Sequence, residues 1–233
     1  MVFQGVLAVL AIATVAPSAP SPSGRVPLIA AIGDSITYGT GTSNPPATSY
    51  AERAAALLGD RVVDFGIPGA RTKAIAGEVA SIPLDADVVL VYAGTNDVAV
   101  AADQLATPAA AVTNVKAVEP DFDALLDAIH TRVPAAVLVV VTLRDFGRVG
   151  SGSAQPLRFT DASLSAAAHE WNLHVRKVAA EYKARLLDLE ADPQWYLRSD
   201  YGDDGRDVHP ADPGAARLAA AVARLLSPVS TVR

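Results

Sequence analysis

Five short runs of mostly apolar residues, separated by segments with helical periodicity, constrain the fold of this chain more than any other feature of its sequence. Such runs predict strands that are buried on both faces of a sheet. The predicted strands are Leu28–Ile32, Val62–Phe65, Val88–Tyr92, Val137–Thr142 and Arg185–Leu189. Because helical segments separate them, the pattern favours an α/β fold in which helices cover both faces of a parallel sheet.

The segments between the strands carry apolar residues at steps of three and four, which is the period of an amphipathic helix. One such stripe ends at Gly59, and the longest runs from Leu164 to Tyr182. We place helix N-caps at Asp121 and Asp212, since aspartate accepts the free amide hydrogens of a first turn. The segments 99–119 and 144–160 are interpreted as long loops that set specificity.

Length and composition fit one domain that follows an N-terminal export segment. The chain has 233 residues, of which 51% are hydrophobic and 19% charged, enough for a single core. Val6–Ala16 is apolar but too short to span a bilayer as a helix. We therefore predict a signal peptide and Pro/Ser-rich linker over residues 1–26, a secreted or exported protein, and one domain over residues 27–230. Residues 1–5 lack the basic residues of a typical signal, so the alternative is an apolar tail with a linker.

Residue content excludes several classes of function. The chain has no cysteine, which rules out a thiol nucleophile, disulfides and thiolate-bound metals. No pair of its histidines has metal-ligand spacing, so we expect neither a metal nor a cofactor. The formal net charge of −6 is opposite to that of a typical nucleic-acid binder, so we expect no nucleic-acid partner. The short apolar run also argues against stable insertion into a membrane.

Polar residues with catalytic potential lie where the predicted strands end. Ser35, Gly66 and Asn96 follow the first three strands, and His209 lies in the loop after the fifth. Ligand sites of parallel sheets lie beyond the carboxyl ends of the strands. His209 is the only histidine outside a predicted helix, so Ser35 and His209 are candidates for a nucleophile and its general base. The Ser35 and Gly66 amides and the Asn96 side chain could converge as donors to an oxyanion.

The order of these motifs resembles that of the SGNH (GDSL) hydrolase family. The motifs are Gly33-Asp34-Ser35, Gly66, Gly94-Thr95-Asn96-Asp97 and His209-Pro210, and the resemblance extends from about Pro27 to Leu226. It implies a flavodoxin-like three-layer α/β/α fold around a central parallel sheet of about five strands. It also implies ester hydrolysis through an acyl-serine intermediate. In that chemistry Ser35 is the nucleophile, His209 is the base, and Ser35, Gly66 and Asn96 form the oxyanion hole.

The acid that would orient His209 departs from the family pattern. The family places an aspartate three residues before the histidine, where this chain has Arg206. Asp207 precedes His209 by two residues, Asp204 precedes it by five, and Asp203 is more distant. We favour Asp207 over Asp204 because a short tether keeps the carboxylate near the ring. A backbone carbonyl could orient the imidazole instead, which would leave a catalytic dyad.

The sequence leaves several partners open for such a site. We expect a small-molecule or glycan ester, namely a short-chain acyl or acetyl ester, with an O-acetylated carbohydrate, a lysophospholipid or a thioester as alternatives. A catalytically silent binding module on the same fold is a further possibility. A phosphate binder is disfavoured because Asp34 places a carboxylate in the first loop. We interpret Asp34 and Asp97 as hydrogen-bonding partners of their turns rather than as catalytic acids.

Overall fold

A computed structural model describes residues 25–103, 106–146, 161–192, 195, 198–201 and 208–227 of the chain. Within these residues a five-stranded parallel sheet lies between two layers of helices. The strands are β1 (Leu28–Gly33), β2 (Arg61–Gly66), β3 (Val88–Tyr92), β4 (Val137–Val141) and β5 (Arg185–Leu187). The helices are α1 (Ser35–Tyr38), α2 (Tyr50–Leu58), α3 (Thr72–Ile75), α4 (Thr95–Ala101), α5 (Pro108–Lys116), α6 (Glu119–Arg132), α7 (Asp161–Glu181) and α8 (Asp212–Leu226).

The strand order β2-β1-β3-β4-β5 confirms the predicted flavodoxin-like arrangement. The carboxyl end of β1 lies between two neighbours, because Gly33 is in register with Gly66 on one side and with Tyr92 on the other. The chain leaves β1 toward β2 and later returns to the other side of β1 as β3. This is the topological switch point of the sheet, where doubly wound folds bind their ligands.

Two helical layers bury the sheet. Helices α2 and α8 pack against each other on one face, while α5, α6 and α7 pack together on the other. All residues of β1 and of β3 are buried, as expected for central strands that are covered on both faces. This rigid centre of the core carries the loops in which the candidate site residues lie.

Two predicted helix caps and one predicted loop are wrong. Helix α6 begins at Glu119, so Asp121 lies within its first turn, and α8 begins at Asp212 after Ala211, so Asp212 is its first residue. In both helices proline is the second residue, and the amide hydrogens of a first turn have no partner within the helix, so the one that proline lacks costs no hydrogen bond. The helix can therefore include this proline and begin before it, which is earlier than predicted. The segment 99–119 contains helix α5, whose Thr107 cap accepts the Ala110 amide hydrogen.

Part of the predicted organisation lies outside the described residues. This holds for residues 1–24 of the predicted export segment, for Asp203, Asp204 and Asp207, and for most of the loop 144–160. The export segment and the domain limits therefore stay predictions. Among the helices of the described ranges, none combines the length and the hydropathy that a membrane span requires.

Candidate active site

The Ser35 hydroxyl is held by a tight turn between β1 and α1. Asp34 caps α1 by accepting the Ile36 amide hydrogen at 2.9 Å, and Ser35 is the first residue of that helix. A Cβ atom at Gly33 would lie 2.2 Å from the Tyr92 carbonyl oxygen, so only glycine lets the chain pass here. The turn therefore places Ser35, which is 6% exposed, at the carboxyl edge of the sheet.

The imidazole of His209 meets this hydroxyl. His209 Nε2 lies 2.9 Å from Ser35 Oγ, although the two residues are 174 positions apart in the chain. The base segment, residues 208–211, is held by an antiparallel bridge between Tyr201 and Pro210. The Ala211 amide also donates to the Asp200 carbonyl at 2.9 Å. In the tautomer that leaves Nε2 unprotonated, this geometry lets the imidazole take the proton of the serine hydroxyl.

Asn96 reaches the same edge from the first turn of α4. Its Nδ2 donates one hydrogen to the Ala70 carbonyl at 2.9 Å, which leaves the second hydrogen of the amide group for another acceptor. The Ser35 amide hydrogen donates to no acceptor within the described residues. Two of the predicted oxyanion donors thus have a hydrogen to offer.

The Gly66 amide, the third predicted donor, is engaged elsewhere. It donates to Asp64 Oδ1 at 2.7 Å, so it would have to leave this carboxylate before it could bind an oxyanion. Position 66 requires glycine because a Cβ atom here would lie 2.2 Å from the Tyr38 backbone nitrogen. Close packing of β2 against α1 therefore accounts for this glycine, and its place in an oxyanion hole stays a prediction.

A donor that the sequence analysis missed lies three residues further on, at Gly69. Residues 67–70 form a type II turn, in which the Ala70 amide donates to the Ile67 carbonyl at 3.0 Å and Gly69 has φ of 79°. The Gly69 amide hydrogen meets no acceptor among the described residues, and Gly69 adjoins the carbonyl that Asn96 binds. The Pro68-Gly69 dipeptide, a typical type II turn, was the signal that could have indicated it.

Two carboxyl groups near the ends of β1 and β2, the buried Asp34 and the half-buried Asp64, have raised pKa values. Burial raises the pKa of Asp34 to about 6, against the opposing effect of the Ile36 hydrogen bond. Burial also raises the pKa of Asp64 to about 6, although this carboxyl accepts hydrogen bonds from the Gly66 amide and from Ser49. Asp34 Oδ2 and Thr95 Oγ1 are both buried. The Thr95 hydroxyl lowers the pKa of Asp34, but less than burial raises it.

The predicted structural roles of two aspartates are confirmed. Asp34 caps its turn, as described above, and Asp97 Oδ2 accepts both the Thr72 amide hydrogen at 2.9 Å and the Thr72 hydroxyl at 2.8 Å. The second pair of bonds ties α4 to the start of α3. Asp97 thereby braces the segment from which Asn96 extends.

The other three histidines lie on helices as predicted; His130 packs edge-on against the Tyr182 ring, and the other two contact carboxylates. His174 on α7 contacts Asp123 at 2.7 Å and Glu119 at 3.4 Å, both on α6, and His169 contacts Glu190 at 3.0 Å. These contacts join the outer helix layer to its neighbours. Across the described ranges, no group of three or more histidine, aspartate or glutamate side chains could hold a metal ion.

Comparison with known proteins points to one family. Residues 31–217 match the model of the GDSL-like lipase/acylhydrolase family. No curated protein sequence matches the chain significantly.

Several solved structures are similar in fold. An extracellular lipase from Streptomyces rimosus is 22% identical with a TM-score of 0.62, over 86% of this chain and 98% of the lipase. Phospholipase A1 from Streptomyces albidoflavus NA297 is 19% identical with a TM-score of 0.61, over 87% and 98%. The lipase Lip_vut3 from a goat rumen metagenome is 15% identical with a TM-score of 0.67, over 88% and 99%. At these identities the likeness concerns the fold.

Proposed function

Because the chain belongs to the GDSL-like lipase/acylhydrolase family and is a carboxylic ester hydrolase, we propose that it works through an acyl-serine intermediate formed on Ser35. The observation that carries this proposal is the distance of 2.9 Å between Ser35 Oγ and His209 Nε2. A hydroxyl is a weak nucleophile until a neighbouring base accepts its proton, and this contact supplies that base.

The proposed reaction has two halves that use the same groups. In the first, His209 takes the Ser35 proton while Oγ attacks the ester carbonyl, and then protonates the leaving alcohol. In the second, His209 takes a proton from a water molecule as this water attacks the acyl-serine carbonyl, and then returns the proton to Ser35 Oγ as the bond to the acyl group breaks and the acid leaves. The carbonyl oxygen carries negative charge in both halves, and each donor to it is worth about 3 kcal/mol.

We propose that the oxyanion is bound by the amide of Ser35, the side chain of Asn96 and a glycine amide. For the glycine, Gly69 is favoured over the predicted Gly66, because the Gly66 hydrogen is directed at the Asp64 carboxylate. A negatively charged acceptor at 2.7 Å competes with an oxyanion for that hydrogen. The Gly69 amide hydrogen is available, and the next residue, Ala70, binds the Asn96 side chain through its carbonyl.

We propose short-chain acyl or acetyl esters as substrates. A small acyl group needs little beyond the proposed nucleophile and the proposed oxyanion donors. O-acetylated carbohydrates, lysophospholipids and thioesters are the alternatives, and the fold is shared with a protein named phospholipase A1. A substrate panel separates them: kcat/KM for p-nitrophenyl acetate and longer acyl esters is compared with that for acetylated xylan, lysophosphatidylcholine and an acyl thioester. Preference for a long-chain lipid would contradict the substrate proposal and leave the mechanism intact.

The mechanism is tested by removing the hydroxyl. We expect Ser35→Ala to lower kcat at least about 10³-fold, since the oxyanion donors alone retain a small part of the catalysis. Fluorophosphonate should label the wild-type enzyme at Ser35 and leave the variant unlabelled, with the same circular dichroism for both proteins. A variant that keeps more than a tenth of the wild-type kcat would refute Ser35 as the nucleophile. A wild-type protein that resists labelling would favour a silent binding module.

A further inference from the structure

The turn that follows α1 is tied to the nucleophile. The Thr40 amide donates to the Ser35 carbonyl at 2.9 Å, and the Thr42 hydroxyl donates to the Gly39 carbonyl at 2.7 Å. Gly41 lies in the middle of this turn with φ of 95°, a conformation that residues with a side chain rarely adopt. Because this turn is bonded to Ser35, a residue that packs against Gly41 has a defined position relative to Ser35.

The base segment is in direct contact with Gly41. A Cβ atom at Gly41 would lie 2.8 Å from His209 Cβ and 2.8 Å from the Pro210 carbonyl oxygen. Gly59 also has a positive φ, of 74°, yet a Cβ atom there would meet nothing within 4 Å. Backbone conformation alone thus explains the glycine at Gly59, whereas Gly41 must also leave room for the residue that carries the imidazole.

The base segment is also held by contacts around Asp200 and Tyr201. Pro210 is bridged to Tyr201, and the Asp200 carbonyl accepts the Ala211 amide hydrogen. The Asp200 carboxylate is 3% exposed and pairs with Arg217 on α8, while Gly214 packs its Cα against the Asp200 carbonyl. The position of His209 is therefore set by these contacts together with the contact at Gly41.

From this close contact we propose that Gly41 is a positioning residue for catalysis, which acts by holding His209 at hydrogen-bond distance from Ser35. This inference rests on the proposed role of His209 as the base. Real Cβ atoms essentially never approach another atom to less than 3.0 Å, so a methyl group at Gly41 forces its turn and His209 Cβ, 2.8 Å away, apart by several tenths of an ångström. Because the turn is bonded to Ser35 and the imidazole to His209, this shift lengthens or misaligns the 2.9 Å contact between Nε2 and Oγ.

The experiment is a double-mutant cycle with a matched glycine control. The variants are Gly41→Ala, His209→Ala, their combination, and Gly59→Ala, which has the same backbone strain without the contact. We expect Gly41→Ala to lower kcat by about 10- to 100-fold with KM within about threefold of wild type, since misplacement by 1 Å can cost that much. Gly59→Ala should keep kcat within about twofold. Adding Gly41→Ala to His209→Ala should change nothing further, because the residue through which Gly41 acts is already gone.

The outcomes separate the inference from the function on which it rests. If His209→Ala keeps its activity, the proposed base is wrong. If His209→Ala loses activity but Gly41→Ala behaves like Gly59→Ala, only the positioning role of Gly41 is wrong. A further loss of activity when Gly41→Ala is added to His209→Ala also overturns that role, since Gly41 would then act on a residue other than His209. Circular dichroism at the assay temperature completes the test: a Gly41→Ala chain that fails to fold shows a structural requirement and overturns the positioning role.

Discussion

The proposed nucleophile and the proposed base of this site are positioned by opposite means. Ser35 is fixed by its own neighbours in the chain: β1 ends at Gly33, Asp34 caps the next helix, and the hydroxyl follows at once. His209 lies in a segment without regular structure, and its place depends on Gly41, 168 residues away in the chain, and on the bridge between Tyr201 and Pro210. One half of the site is therefore a product of local structure and the other of tertiary packing. The two halves should fail differently when they are disturbed.

After the loss expected for Ser35→Ala, the largest effect tests whether the nucleophile side loses chemistry without losing stability. We expect Asn96→Ala to lower kcat by about 10²–10³-fold, because one oxyanion donor disappears while Ser35 and His209 stay in place. KM and the midpoint of thermal unfolding should change little. Asn114→Ala is the matched control, since Asn114 makes the same kind of bond from its side chain to the Ala101 carbonyl at 3.1 Å, away from the proposed donors. A rise in KM with an unchanged kcat would remove Asn96 from the oxyanion hole.

The second test addresses the buried charge on the nucleophile side, through the pH dependence of stability. The folded protein raises the pKa of Asp34 to about 6, so it holds the proton more tightly than the unfolded chain does. The contribution of Asp34 to stability is therefore most favourable below pH 4 and is lost as the pH rises through about 6. The loss can reach about 3 kcal/mol for a shift of two units.

Asp34→Asn removes this dependence while keeping an oxygen for the Ile36 amide hydrogen. We expect the variant to unfold at a higher urea concentration than wild type at pH 7.5, and the difference to vanish near pH 4. Other titrating groups, including Asp64, are present in both proteins and cancel in the difference. A variant that is less stable than wild type at pH 7.5 would show that the ionised carboxylate is needed by the turn.

The smallest effect is expected on the base side, where stability and activity should fall together. Arg217→Gln leaves the buried Asp200 carboxylate without its cation, at a cost of about 2 kcal/mol because Arg217 itself is partly exposed. Because Asp200 also anchors Ala211, we expect kcat to fall by about threefold to tenfold. Urea unfolding and steady-state kinetics measure both quantities.

The control for that variant is Arg53 on α2, whose partner Asp212 lies on the same helix as Arg217. Arg53 pairs with Asp212 at the start of α8, but both side chains are about one-third exposed, so Arg53→Gln should leave kcat unchanged. If Arg217→Gln destabilises the protein and keeps the full wild-type kcat, the base segment does not depend on Asp200. Tertiary packing would then position His209 less strongly than its contacts indicate, and the two halves of the site would differ less.

The same contrast explains what could be predicted from the sequence. The strands were predictable because β1 and β3 are buried throughout and apolar throughout, so their pattern in the chain is the pattern of their burial. Helix starts were less predictable. At α6 and α8 a proline is the second helical residue, so each helix begins earlier in the chain than the predicted cap allows. Helix α5 was missed because its alanines form a helix without a marked apolar stripe.

Within the site, the contact of Ser35 with His209 followed from topology, since both residues come after strands of one parallel sheet. The hydrogen bond from the Gly66 amide to Asp64 could not be predicted, because it depends on the rotamer of Asp64, which the residue pattern does not specify. The role of Gly41 was equally hidden, since it arises from a segment 168 residues away in the chain. The choice between Asp207 and Asp204 stays a prediction.

The separation of 174 residues between the hydroxyl and the imidazole also has a consequence for biosynthesis. A ribosome translates the Ser35 codon 174 codons before the His209 codon, and α8, whose Arg217 pairs with Asp200, follows later still. A nascent chain can thus build β1 and its turn before it holds the proposed base. With the proposed mechanism, hydrolytic activity begins only after α8 has left the exit tunnel and docked, so the enzyme cannot act on esters before its synthesis has passed that point.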